Sequence, residues 1–380
     1  MNAHDDTLIS ADSHVTEPPD LWKARIDKAF RDRAPRYDHD ASRGGLLFLV
    51  DGQLPKRVNV NIAVGQKPEH YEEFFKKGLE SARPGGWDPV ERLKDMDVDG
   101  IEAAVLYTSQ GFGLFALDDA AYQRACFRAY NDWLAEYCSE ASRRLYGIAM
   151  VSLFDIDDAI SELRRCRKNG HCGAMIWGSP PEDLPFDDAR YEPFWSEAEA
   201  LEMPLSLHIA TGGDRTARET ARSEVAYWKK LGKLISLPSE VQRTLTTLIF
   251  SGVLERHPSL RLVSAEYDMG WVPYFLQYAD RLYRRWSPML GLRLPMSPSE
   301  YFLRQVSLTF IREPVGMKMV AGGLIPAGNV LWCDDYPHGA STWPDSRGVI
   351  AETMGDLNES DRRKIVCDNA SSLYGIALSD

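Results

Sequence analysis

Residues 331–339 read LWCDDYPHG. An apolar run ends in two aspartates, followed by a tyrosine, a proline and a histidine. Charged residues rarely sit at the inner end of a hydrophobic run without partners. Read from residue 329, the stretch is a buried strand with chemistry at its C-terminal end. Working outward from it, the same pattern recurs along the chain. Short apolar runs lie at 7–14 (TLISADSH), 100–107, 145–152, 172–178, 203–210, 260–267 and 305–311. With 329–335 they make eight expected strands. Helical periodicity occupies 121–141, 157–170, 191–202 and 246–258 between them. Eight strands alternating with helices predict an α/β fold, a (β/α)8 barrel of the TIM type. An open doubly wound sheet is the alternative, and it is disfavoured because no Gly-rich nucleotide fingerprint follows the first strand. Two segments exceed ordinary barrel loops, 15–99 after the first strand and 211–245 after the fifth. Both leave from strand C-terminal ends, where barrels carry their active sites, so both are expected to cover a pocket. No linker divides residues 1–380, which read as one barrel domain.

Composition narrows the function. The 380 residues are 44% hydrophobic, enough for a large core, and 44 Lys+Arg against 56 Asp+Glu give a net charge of -12. Such an acidic surface argues against nucleic acid or an anionic membrane as partner. No apolar stretch reaches the ~20 residues of a membrane helix, and no signal peptide is read at the start. The six cysteines (126, 138, 166, 172, 333 and 367) contain no CxxC pair and read as reduced thiols of a cytoplasmic protein.

The strand ends carry the chemistry. Asp12 and His14 lie two apart on the first strand and face one side. His208 ends the fifth, and Asp334 and Asp335 end the eighth. Two histidines and carboxylates converging at one barrel mouth suit zinc or a similar divalent ion. Each residue taken singly also has an ordinary role open to it, Asp12 as a turn cap and the histidines as hydrogen-bonded core residues.

Four stretches, ADSHVTEPPDLW (11–22), LHIATG (207–212), GVLERHPSLRLV (252–263) and DDYPH (334–338), resemble the amidohydrolase-related family that includes metal-dependent decarboxylases of aromatic carboxylic acids. The resemblance extends from about residue 8 to residue 376. It implies a distorted barrel with one divalent metal, zinc or alternatively manganese. It also implies Asp12, His14, His208 and Asp335 as ligand positions, and a homodimer or homotetramer. Asp334 would then hydrogen-bond a ligand from behind or pair with an arginine, while His338 would support a ligand, touch substrate or serve the turn. Two-metal relatives place Lys or Glu at the end of the fourth strand; GAMIWGSP (173–180) offers neither, which predicts one metal.

The pattern departs from the family at the sixth strand, where decarboxylases usually carry a histidine. VSAEYDMGWVPYF (263–275) has none, and Glu266, or Asp268 if the register slips, falls nearest. An anionic carboxylate there would repel a substrate carboxylate. The expectation is therefore hydrolysis by metal-activated water of a small carbonyl compound, aromatic or otherwise, with Asp335, Glu266 and His338 as catalytic groups. Decarboxylation of an aromatic acid is the first alternative and a non-catalytic ligand-binding barrel the second. Arg312, Trp177 and Glu17 are the candidate substrate contacts. Arg312 has an ion pair with Glu313 or another acid as its ordinary reading, and Glu17 the holding of its loop. Trp22, Trp271 and Trp332 are further candidates to line a pocket or to be core. His171 and Cys172 precede the fourth strand on the wrong side for ligation, His257 reads as packing at a helix end, and His4, His39 and His70 as ordinary.

Overall fold

The computed structural model describes residues 6–40, 45–58, 60–222, 224 and 226–378. His4 lies outside them. Eight strands form one sheet whose spatial order follows the chain: β1 Leu8–His14, β2 Ile101–Tyr107, β3 Leu145–Met150, β4 Gly173–Ile176, β5 Leu205–His208, β6 Leu262–Ala265, β7 Val306–Phe310 and β8 Val330–Trp332. Every neighbouring pair is parallel. The sheet is a nearly closed barrel. β1 and β8 share no ladder; the Asp335 N–H donates to the Asp12 carbonyl (3.2 Å) and the His14 N–H to that of Tyr336 (2.6 Å). The seam therefore closes just beyond the end of β8, beside the chemistry-bearing residues.

Strands β4 to β6 and β8 are buried at every position, as parallel strands covered on both faces require. The barrel is filled, not hollow: the Tyr107 hydroxyl lies 2.7 Å from Ser206 Oγ and 3.3 Å from the Tyr374 hydroxyl of the C-terminal helix. Helices follow the strands with local caps. Asp119 caps Ala120–Ser139 through the Tyr122 N–H, and Asp155 caps Ile156–Lys168 through that of Asp158. The helix expected over 246–258 is two, Pro238–Phe250 and Val253–Arg256. Gly252, at φ 79°, breaks them, because its left-handed backbone cannot continue a right-handed helix.

Both long segments cover the barrel mouth. The first carries a three-stranded antiparallel sheet (Arg36–Asp40, Gly45–Leu49 and Lys56–Arg57), and the second the helices Arg215–Arg222 and Tyr227–Ser236. They meet where the Leu54 N–H donates to the Ala221 carbonyl (2.8 Å). All six cysteines are buried and free. Among the described residues no helix is long and apolar enough to cross a membrane.

Candidate active site

The strand ends converge as the spacing predicts. One ligand atom each from Asp12, His14 and His208 lies within 4.8 Å of the others, and a second triplet of His14, Asp335 and His338 shares His14 with the first. All five residues are buried. Asp12 Oδ1 is 3.5 Å from His14 Nε2 and 3.3 Å from His208 Nε2. Asp12 Oδ2 accepts from Thr309 Oγ1 (2.9 Å).

The imidazoles are oriented from behind. His14 Nδ1 lies 2.9 Å from the Thr108 carbonyl, and His208 Nδ1 lies 2.9 Å from that of Ile209. A carbonyl only accepts, so both Nδ1 atoms carry a proton, and in the neutral ring each Nε2 presents a lone pair. Those lone pairs face carboxylate oxygens. Asp335 Oδ1 approaches His14 Nε2 at 3.2 Å and His338 Nδ1 at 2.8 Å. Neither approach has hydrogen-bond geometry, and both His14 Nε2 and Asp335 Oδ1 lack a partner. Buried acceptors aimed at one another are unfavourable alone. A divalent cation between them satisfies all of them at once, so this donor set fits a metal.

The two adjacent aspartates separate completely. β8 ends at Trp332, so strand alternation does not divide them; a left-handed turn at Asp335, φ 53°, does. Asp334 Oδ1 accepts from Ser10 Oγ (2.6 Å) and from Ser13 Oγ, and the Asp334 N–H donates to Ser10 Oγ (2.9 Å). No arginine pairs with it among the described residues. The two serines are three apart and would diverge on a regular strand, but the β1–β2 register shifts between Ser10 and Ser13. Asp334 therefore fastens the seam while Asp335 faces the cluster. Left-handed backbone recurs at Ala210 (φ 67°) and Glu266 (φ 62°). Such non-glycine residues cost about 1–3 kcal/mol each and persist where the surroundings over-determine them.

Glu266, not Asp268, reaches the cluster. Its Oε2 lies 3.5 Å from His208 Nε2, with the side chain 25% exposed, and its N–H donates to Thr309 Oγ1 (2.8 Å). Asp268 is exposed. Burial, then the carboxylates of Asp335 and Asp12, push the Glu266 carboxyl well above its ordinary range. Burial also disfavours the Asp335 carboxylate, but His338 and His14 beside it outweigh that and hold it below the ordinary range. His338 stacks on His14, with centroids 4.0 Å apart, and its Nε2 lies 2.9 Å from Ser109 Oγ.

The expected substrate contacts are not brought together. Glu17 is buried, and its carboxylate accepts from the N–H groups of Ser109 (3.1 Å), Gln110 (3.0 Å) and Gly111 (3.1 Å) and from Thr108 Oγ1. It is spent on holding the loop after β2, which also carries the Thr108 carbonyl behind His14. Trp177 is buried core, its Nε1–H donating to the Phe115 carbonyl (3.1 Å). Trp22 and Trp332 are buried core as well, and Trp271 is half-buried. Arg312 is exposed, and among the described residues no ion pair joins it to Glu313, which accepts instead from the Met269 and Gly270 N–H groups. His257 pairs with Glu192 (2.9 Å), and His171 is buried against the Cys166 carbonyl. Sequence reading missed Thr309, which bridges Asp12 and Glu266, and Phe112, stacked on His208 with centroids 4.5 Å apart. A lone threonine inside the apolar run at 305–311 was the available signal for Thr309; Phe112 had none.

A cavity of about 720 Å³ is lined by Phe112, which stacks on His208, by Ala210 and by the segment after β5; none of the five cluster residues lines it. A larger hollow of about 860 Å³ lies at the opposite end of the barrel, beside Pro204, Val306 and Asn329 at the strand starts, and touches none of these residues.

The amidohydrolase family model matches residues 11–376. A 2-amino-3-carboxymuconate-6-semialdehyde decarboxylase of Dictyostelium discoideum is 25% identical over 294 residues, 76% of this chain and 77% of that protein. A gamma-resorcylate decarboxylase of a Rhizobium species is 28% identical over 296 residues, 74% and 86% of the two chains. Among solved structures, an amidohydrolase from Mycobacterium avium subsp. paratuberculosis superposes with a TM-score of 0.77 at 21% identity, covering 98% of this chain and 100% of that one. A dihydroxybenzoic acid decarboxylase from a Polaromonas species, with bound manganese and the inhibitor 2-nitroresorcinol, gives 0.66 at 20% identity, covering 99% and 98%. These relatives overturn the expectation of hydrolysis, since the curated ones are decarboxylases. That expectation took Glu266 for an anion that repels a substrate carboxylate. Burial and the carboxylates of Asp335 and Asp12 push the Glu266 carboxyl up, which weakens that premise.

Proposed function

The chain belongs to the amidohydrolase family, and on that premise we propose that it is a metal-dependent, non-oxidative decarboxylase of an aromatic carboxylic acid. The observation that carries the reading is the pair of partnerless buried atoms, His14 Nε2 and Asp335 Oδ1, within one cluster at the barrel mouth. Asp12, His14, His208 and Asp335 would hold one divalent ion. Imidazole nitrogen with carboxylate oxygen suits zinc or manganese, and manganese is the ion in the Polaromonas structure. Bound there, the ion would supply positive charge toward the anionic substrate.

The chain's own residues do the rest. The bond between the ring carbon and the carboxyl carbon breaks, its electron pair stays on the ring, and the ring carbon takes a proton as carbon dioxide leaves. Glu266 is the proton donor: it reaches the cluster from the end of β6, and its partial exposure lets it recover a proton from solvent. Asp335, held as a carboxylate by two histidines, is suited to ligation. His338 braces His14 by stacking and links it to Ser109. Phe112 covers His208 and keeps water from that face.

The test uses manganese-loaded protein in deuterium oxide with a panel of hydroxybenzoates, 2,6-dihydroxybenzoate among them. The expected result is carbon dioxide and a phenol carrying one deuterium at the vacated ring position. Loaded protein that releases carbon dioxide from none of them sinks the proposal.

A further inference from the structure

The cavity beside the cluster is too large for a single ring: volumes of about 300–1,000 Å³ ordinarily take drug-sized ligands, and this one measures about 720 Å³. Its composition is uneven. Phe112 and Ala210 form the end next to His208, and Ala116, Ala217 and Leu237 continue an apolar wall. Beyond them come four cations, Lys56, Lys229, Lys233 and Arg243, against two acids, Asp214 and Glu240. The two acids offset only half of this set. Asp214 accepts from Ser179 Oγ (2.6 Å) and the Ala217 N–H (2.7 Å). Burial pushes the Glu240 carboxyl up, and Lys233 beside it pulls it back down. Among the described residues no acid forms an ion pair with Lys56, Lys229 or Lys233.

Lys56 is the best placed of the cations. A side chain at Gly113 would come within 2.7 Å of the Lys56 Nζ, so the ammonium rests on that glycine, next in sequence to the phenylalanine stacked on His208. Gln53 fixes the approach, its Nε2 donating to the Gly113 carbonyl (2.7 Å). Lys56 as a whole residue is exposed, yet burial around its tip and the like charge of Lys233 pull it down to about 8. Two cations from separate insertions thus line one cavity, and among the described residues neither forms an ion pair.

We propose that this cavity is the distal half of the substrate site, that Lys56 and Lys233 receive a second anionic group, and that the substrate is an elongated aromatic diacid. This rests on the decarboxylase reading above. The reacting carboxylate lies at the cluster, the apolar wall takes the body of the molecule, and the lysines take its far end.

The experiment is calorimetric titration of the manganese-loaded protein with three unreactive probes. They are 2-nitroresorcinol, 5-(4-carboxyphenyl)-2-nitroresorcinol, and the latter with its carboxylate replaced by carboxamide. The carboxylate probe is expected to bind about tenfold more tightly than the carboxamide, the scale of a charge-assisted hydrogen bond. In the Lys56→Gln/Lys233→Gln protein that ratio falls to about one. Equal affinity in the native protein, or a preference that survives the double substitution, overturns the proposal. If 2-nitroresorcinol itself does not bind, the decarboxylase reading fails and this inference falls with it. If it binds but the carboxylate confers no preference, this inference alone fails.

Discussion

His14 and Asp335 meet at 3.2 Å across the seam between the first and last barrel strands, Nε2 against Oδ1, both buried and neither hydrogen-bonded. When the imidazole is neutral its lone pair and the carboxylate oxygen repel each other, and a metal cation between them removes that repulsion. His14→Ala, Asp335→Asn and His208→Ala are each expected to lose most of the bound metal by elemental analysis while circular dichroism keeps the folded spectrum. Chelation of the native protein should lower stability by about 2.7 kcal/mol if the metal is supplied at 100 times its dissociation constant. Unchanged metal content in all three variants would place the ion elsewhere.

Glu266→Gln keeps the atoms around His208 and removes the transferable proton. Metal content should hold while kcat falls by about 10²–10⁴, the range of general acid catalysis. An unaffected rate would leave Glu266 without the role assigned to it.

The neighbouring aspartates should separate experimentally as they do structurally. Asp334→Ala strips Ser10 and Ser13 of their shared acceptor and should cost about 3 kcal/mol in urea unfolding of the metal-free protein. Asp335→Asn should cost little in that metal-free measurement. The reverse order would contradict the division of labour described for the seam.

Glu17→Ala leaves three buried N–H groups of the loop after β2 without their acceptor. Loss of at least about 3 kcal/mol is expected without substrate present. A stable variant with only a raised KM would return Glu17 to the substrate contacts.

His171 supplies a pH signature away from the site. Burial lowers it from 6.5 to about 4, so between those values the unfolded chain binds a proton that the folded chain refuses. Its contribution is complete above pH 6.5 and is lost as the pH falls toward 4, by about 3 kcal/mol in total. The stability difference between native protein and His171→Asn should therefore slope across that window and flatten outside it. A parallel pair of pH–stability curves would refute it.

Much of the site was legible because barrel chemistry sits at strand ends. Asp12, His14, His208, Asp334 and Asp335 stood out as polar residues that close apolar runs, and the structure brings four of them together with His338. Glu17, Trp177 and Arg312 were read as substrate contacts from their place beside strand ends, and adjacency to a strand end does not say which way a side chain turns. Glu17 turns to three amides of another loop, and Trp177 into the core.

The sequence by itself determined the eight strands, their order and the ligand-type residues at their ends, since hydrophobic runs and periodicity are local properties of the chain. The resemblance pointed to Asp335 as the ligand position, but only the tertiary structure decided that Asp334 serves the seam. Asp334 finds Ser10 across 324 residues of chain, and the left-handed turn at Asp335 and the slipped register of β1 arise only when the barrel closes. The cavity is likewise tertiary. Lys56 and Lys233 come from different insertions, and only their packing over one mouth brings two like charges to one space.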